Sequence, residues 1–226
     1  MDPLQLRENE VFGALKKLAH FKFVLIGGYA VNAYTIPRFS VDCDIVTKDK
    51  GESAGIEKVL HELGYARTGT SKTSEPARFA RCEKTLANSF KVSFDILIGA
   101  VIDRQTGASF PAGWIFRNSK VRLFKGKTIA EQLRVRVVRL DALFVMKMVR
   151  CRPTDIRDIF MMAPSITNKK WVKNEVSSRC NLCDRLRRVK DTVSSLEFRN
   201  GIQGVYGLID NQMFDRSANA IDSLGD

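Results

Sequence analysis

Two carboxylates separated by one residue, Asp42-Cys43-Asp44, stand in the apolar run Val41 to Val46. Strand side chains alternate between faces, so on a strand both acids point the same way, about 7 Å apart by strand rise. Like charges that close within an apolar run are costly unless a cation or a basic group compensates them. Hard oxygen ligands at this spacing suit a divalent cation such as Mg²⁺ or Mn²⁺. A third acid, Asp95, stands alone in the apolar string Lys91-Val-Ser-Phe-Asp95-Ile-Leu-Ile. If that strand pairs beside the one bearing Asp42, the three carboxylates converge on one metal site. The other reading of Asp95 is an edge or turn acid.

Upstream, Gly27-Gly28 sits between an apolar run and a helical pattern. Missing side chains there let a phosphate approach backbone N–H groups at the positive end of a helix, although any tight strand-to-helix turn uses such a pair. Arg38 and Ser40, just ahead of the acids, offer a cationic fork and a hydroxyl for a triphosphate.

The elements that must position these groups follow from apolar spacing. Leu6, Val11, Leu15 and Leu18 predict an amphipathic helix over Leu4 to His20. Phe21 to Ile26 reads as a buried strand and Tyr29 to Thr35 as a helix ended by Pro37. A strand over Val41 to Val46 and a helix over Gly55 to Leu63, closed by Gly64, come next. Strand-like runs then cover Arg78 to Cys82, Phe90 to Leu97, Ile115 to Phe124 and Arg134 to Val138, with Thr68 to Glu75 as a polar loop. From Leu140 the pattern is helical: Leu140 to Arg150, a Pro153-initiated helix through Met162, and two or three more to about Phe214. The polar stretch Ser217 to Asp226 reads as a frayed tail.

Together, the apolar strand, Gly27-Gly28, thirteen intervening residues, Asp-x-Asp and a later Asp resemble the signature of the DNA polymerase β-like nucleotidyltransferase superfamily. The likeness covers about residues 22 to 98. Downstream, Leu140-Asp-Ala-Leu-Phe-Val-Met-Lys147 and Arg152-Pro-Thr-Asp155-Ile-Arg-Asp158-Ile are similar to the helical motif of the AbiEii/MenT-like branch, which includes toxins acting on transfer RNA. The resemblance implies an α/β (α+β) nucleotidyltransferase fold, with a small mixed sheet flanked by helices in a catalytic domain over residues 1–139. A helical domain over residues 140–226 follows. It also implies Mg-dependent transfer of a nucleoside monophosphate from a nucleoside triphosphate to an acceptor hydroxyl. Asp42, Asp44 and Asp95 would be the catalytic metal ligands, and Asp95 would take the acceptor's proton. Gly27, Gly28, Arg38, Ser40 and Lys147 would hold the nucleotide. An ammonium at Lys147 on an apolar helix face needs a partner, either a phosphate or Asp155 and Asp158. Two departures from the family pattern stand out. Gly28 replaces the usual Ser, and Cys43 in the middle of Asp-x-Asp should point to the opposite face.

Charge narrows the partner class. Lys and Arg outnumber Asp and Glu by 37 to 25, a formal net charge of +12, which draws polyanions through long-range attraction and counterion release. An RNA 3′ end, such as that of tRNA, is therefore the first choice of acceptor, with a cognate antitoxin as a possible protein partner. The alternatives are transfer to a protein or small molecule, as in AMPylation or antibiotic nucleotidylation, and a non-catalytic nucleotide- or RNA-binding module. No run reaches the roughly 18 apolar residues of a membrane span, and the start lacks a secretory pattern, so a soluble cytoplasmic protein is expected. The five cysteines fit reduced thiols; Cys180 and Cys183 have metal-like spacing but no second close pair of ligands.

Overall fold

The computed structural model describes residues 2–71 and 78–225. The chain divides into two compact units, one comprising Met1–Ala33, Pro37–Ile102 and Phe110–Val138, the other Tyr34–Ile36, Asp103–Ser109 and Arg139–Asp226.

Up to Val138 the elements are α1 (Pro3–Lys17), β1 (Val24–Leu25), α2 (Gly27–Val31), β2 (Asp42–Thr47), α3 (Lys50–Glu62), β3 (Ala66–Ser71), β4 (Arg78–Thr85), β5 (Lys91–Ile98), β6 (Ala100–Ile102), β7 (Ser109–Pro111), α4 (Ala112–Arg117), β8 (Ser119–Lys125) and β9 (Gln132–Val138). Seven strands form one mixed sheet in the order β3-β4-β5-β2-β1-β9-β8, and β6 pairs with β7 separately. β2 runs parallel to β5, and β1 parallel to β9, while β1 and β2 are antiparallel.

Local chemistry sets the element ends. Asp2 accepts from the Leu4 amide and Pro3 occupies the first turn of α1, so a backbone donor is satisfied and φ is preset. Asp49 does the same for α3 through the Glu52 amide. Helix α1 buries Val11, Phe12 and Leu15, and the Phe12 ring stacks on Phe124 at 4.6 Å. Cys43, Ile45, Ile56, Leu60 and Phe94 are fully buried, and Tyr65 meets Phe94 edge-on at 5.5 Å. Each large side chain removed from water there contributes roughly 1.5–3 kcal/mol. That apolar anchoring turns the other face of β2, with Asp42 and Asp44, away from the core.

In the second unit, α5 (Leu140–Arg150), α6 (Pro153–Met162), α7 (Lys169–Ser177), α8 (Leu182–Val193), α9 (Leu196–Tyr206) and α10 (Asn211–Asp222) follow one another. Cys151 ends α5 in the left-handed region at φ 49°, and Pro153 then starts α6. Asp141 accepts from the Thr167 and Asn168 amides and ties α5 to the start of α7. Phe160 packs against Phe198 at 5.2 Å and Phe214 at 4.9 Å.

Several sequence expectations need correction. The strand-like run from Ile115 is a helix through Arg117 before β8 begins at Ser119, because Asn118 and a hydroxyl bond from Ser119 to the Phe116 carbonyl close the turn. Helix α2 is shorter than expected, ending at Val31, and α3 starts earlier, at Lys50. β3 extends through Ser71 into the expected loop, whose remaining residues 72–75 lie outside the described residues. Among the described residues, four α-helices rather than two or three follow α6, and the tail is not frayed: α10 runs to Asp222 with Ser217, Ile221 and Leu224 buried. Its few apolar residues share one face, a spacing hidden by the polar composition.

Candidate active site

The parallel pair β2–β5 sets Asp42 opposite Ser93 and Asp44 opposite Asp95. Paired residues share a sheet face, so the three acids stand together on two adjacent strands, about 4.8 Å apart in the pairing direction. The antiparallel pair β4–β5 then sets Arg81 opposite Asp95 on that same face. Its guanidinium forks onto Asp95, Nε to Oδ1 at 2.7 Å and Nη2 to Oδ2 at 2.8 Å, and Nη2 also reaches Asp42 Oδ1 at 3.2 Å. The Ser93 hydroxyl donates to the same Asp42 oxygen at 2.5 Å. Hydrogen bonding to Asp95, with attraction from all three acids, holds Arg81 even more firmly in its charged form than usual. Cys43, on the opposite face, is raised well above the usual thiol range, by burial first and then by the neighbouring acids.

The Gly-Gly turn is shaped around these side chains. Gly27 has φ 65°, and a Cβ there would lie 1.9 Å from Asp44 Oδ2. A Cβ on Gly28 would lie 2.5 Å from Ser40 Oγ and 3.1 Å from Arg38 Nη2. Both residues are therefore glycine because Asp44, Ser40 and Arg38 occupy the space a side chain would fill. The loop carrying Arg38 is braced by buried Asn32, whose Nδ2 donates to the Arg38 carbonyl at 2.8 Å while its Oδ1 accepts from the Arg38 amide at 3.0 Å. Ser40 Oγ donates to the Asp42 carbonyl at 3.1 Å and steadies the start of β2.

Lys147 lies in the second unit, 6 % exposed. Its Nζ is 3.0 Å from Asp155 Oδ1 and 2.6 Å from Asp158 Oδ2, and the Tyr206 hydroxyl donates to Asp158 at 2.5 Å. The pairing of Lys147 with the acids of the next helix is thus present, and the ammonium cross-links α5 to α6.

Sequence reasoning missed Arg81, Ser93 and Asn32. Arg81 is the basic group whose need the crowded acids announced, but it comes from a strand 39 residues away and only the β4–β5 register brings it there. Ser93 was legible as the residue two before Asp95, hence on the same face. Asn32, a lone amide among apolar residues, was the signal for a buried polar brace.

Among the described residues, no three His, Cys, Asp or Glu side chains form a ready cage for a metal ion. The donor chemistry nevertheless fits a hard divalent cation: carboxylate oxygens from two paired strands gather at one point, already compensated by one positive group. A cation bound among these acids would take over the neutralising role that Arg81 performs.

The fold resembles two Helicobacter pylori proteins of known structure. JHP933 aligns with a TM-score of 0.51 and 14 % identity, over 99 % of this chain and 92 % of its own. A candidate nucleotidyltransferase from the same organism aligns with a TM-score of 0.52 and 13 % identity, over 99 % of this chain and 95 % of its own. At such identities the likeness speaks for the fold alone. No curated protein matches the chain. The family described as nucleotidyl transferase AbiEii toxin, type IV TA system, matches residues 14–170, well over half of the sequence. The strand-borne acids, the Gly-Gly turn they shape and that match lead to one conclusion: the chain belongs to the AbiEii nucleotidyltransferase family, the toxins of type IV toxin–antitoxin systems.

Proposed function

We propose that this nucleotidyltransferase uses Asp42, Asp44 and Asp95 with Mg²⁺ or Mn²⁺ to move a nucleoside monophosphate from a nucleoside triphosphate to an RNA 3′ hydroxyl. The observation that carries the reading is the placing of the three acids on one face of β2 and β5, beside a Gly-Gly turn, with Arg38 and Ser40 at its edge. When bound, a divalent metal would polarise the α-phosphate and neutralise the departing pyrophosphate. Asp42 and Asp44 would hold it, with Asp95 contributing once its fork with Arg81 opens. Asp95 would also accept the proton of the attacking hydroxyl. Arg38 and Ser40 would bind the triphosphate oxygens, and the released Arg81 would remain near enough to offset their charge. The surplus of twelve positive charges supports a polyanionic acceptor over a cationic small molecule. A cognate antitoxin would be the regulatory partner, in the cytoplasm.

The test is incubation of the protein with Mg²⁺, each α-labelled nucleoside triphosphate in turn and total RNA, beside an Asp42→Ala, Asp44→Ala double variant. Label on RNA with the intact acids alone is the expected result. Label on protein would move the acceptor to a polypeptide, and metal-dependent nucleotide binding with no transfer would overturn the catalytic role of the acids.

A further inference from the structure

Away from the acids, the first unit contains a cleft of about 960 Å³ between the end of α1, α4 and the β8–β9 edge of the sheet. Its rim carries Lys22, Lys48, Arg117, Arg134 and Arg136, all exposed. Among the described residues, no carboxylate pairs with any of these five; Arg136 meets only the Ser119 hydroxyl, at 3.3 Å. The two acids on the lining are otherwise engaged: Asp49 accepts from the Glu52 amide at 3.0 Å and Glu52 from the Lys22 amide at 2.9 Å. Those neutral donors leave both carboxylates charged, yet the five rim cations outnumber the two acids, so an excess of positive charge surrounds a concave surface, the arrangement that focuses a field on anions.

The floor is aromatic and aliphatic. Phe116 is half-buried with Lys48 Nζ 4.9 Å above its ring, and Val121 is 51 % exposed beside Arg136, its cross-strand partner. Phosphate-binding cations around flat apolar rings are the combination that binds single-stranded nucleic acid, the backbone held by charge and the bases by stacking. The volume lies at the upper end of the ~300–1,000 Å³ range of small-ligand sites, which suits a short stretch of chain.

Strand register relates the cleft to the acids. Leu25 pairs with both Ile45 and Val137, so these three share one face, and Asp44 and Arg136, each one residue away, share the other. Two strand spacings and two residues of rise separate them, about 12 Å. We infer that this cleft holds the single-stranded segment of the RNA acceptor behind its reactive end, with Arg134 and Arg136 on the phosphates and Phe116 against a base. The inference rests on the transfer reaction proposed above and assigns its acceptor site.

The probe is a fluorescein-labelled single-stranded RNA of twelve nucleotides, read by anisotropy with the full chain. Arg134→Glu with Arg136→Glu should weaken binding by at least tenfold, and the milder Arg134→Gln with Arg136→Gln should reduce the slope of log affinity against log salt by roughly 0.7 for each phosphate no longer neutralised. Phe116→Ala should weaken binding with the salt slope unchanged. Asp42→Asn with Asp44→Asn should abolish transfer without weakening RNA binding, so absence of transfer in that variant and loss of RNA binding in the arginine variants report on separate sites. RNA affinity unchanged in both arginine pairs would overturn the assignment. Tighter binding of poly-glutamate than of the RNA would also overturn it, in favour of an acidic protein occupant.

Discussion

Arg81 faces Asp95 across β4–β5 with two parallel hydrogen bonds of 2.7 and 2.8 Å, and one of the same nitrogens spans to Asp42 at 3.2 Å. One cation thereby balances a cluster of acids that would otherwise repel one another. With Arg81 about one third exposed, solvent screening limits its contribution to about 1–2 kcal/mol. Arg81→Gln should lower the melting temperature in chelator by a few degrees, and Mn²⁺ should raise it more in the variant than in the wild type. Equal Mn²⁺ shifts in the two proteins would show that guanidinium and metal do not compete.

Gly27 has no room for a side chain. An alanine there meets Asp44 Oδ2 at 1.9 Å and must also hold φ 65°, a conformation that costs a non-glycine residue about 1 kcal/mol or more. Gly27→Ala should therefore displace the Asp44 carboxylate and reduce nucleotide transfer by roughly a hundredfold or more, while the protein stays folded by circular dichroism. Transfer close to the wild-type rate would show that Asp44 does not need this place.

Lys147 separates structure from chemistry. Removing it leaves Asp155 and Asp158 buried without their shared cation, which costs about 3–5 kcal/mol. Urea unfolding of Lys147→Met should show a fall in stability of that size. A stability within about 1 kcal/mol of the wild type would instead mark Lys147 as a residue whose work lies with the nucleotide.

Alkaline pH should destabilise the fold. Burial pushes the Cys82 thiol up to about 11 and raises Cys43 and Cys151 as well. An acid whose folded pKa is raised contributes stability that is complete below its unfolded value, near 9, and is lost as pH climbs towards 11. For Cys82 alone the difference is roughly 2–3 kcal/mol. Unfolding free energies under reductant should be level from about pH 7 to 8.5 and fall above about 9, less steeply in Cys82→Ala. At about pH 8 a thiol reagent should modify Cys180 and Cys183 and spare the three buried cysteines.

Much of this arrangement was legible in sequence, for identifiable reasons. Asp-x-Asp in an apolar run announced both a strand and a shared face, and α5 and α6 followed from their apolar spacing and Pro153 with the observed bounds. Short-range signals end where register begins. Arg81 and Arg78 look alike in sequence, and only the pairing of β4 with β5 distinguishes the one that meets Asp95. The helix at Ala112–Arg117 hid within residues of strand-like composition, and α10 hid within polar ones, because burial by distant partners overrode local preference. The β8–β9 cleft combines several separate segments and has no linear signature.

The pairing of Asp44 with Asp95 also guards the fidelity of folding. A slip of β5 by one residue along β2 would turn Asp95 into the apolar layer of Cys43 and Ile45 and bring Phe94 out among the acids. The misregistered sheet would carry a buried charge without a counterion, a penalty of several kcal/mol. The acids thus make the slipped pairing unstable, so a molecule that folds is one whose carboxylates have already met.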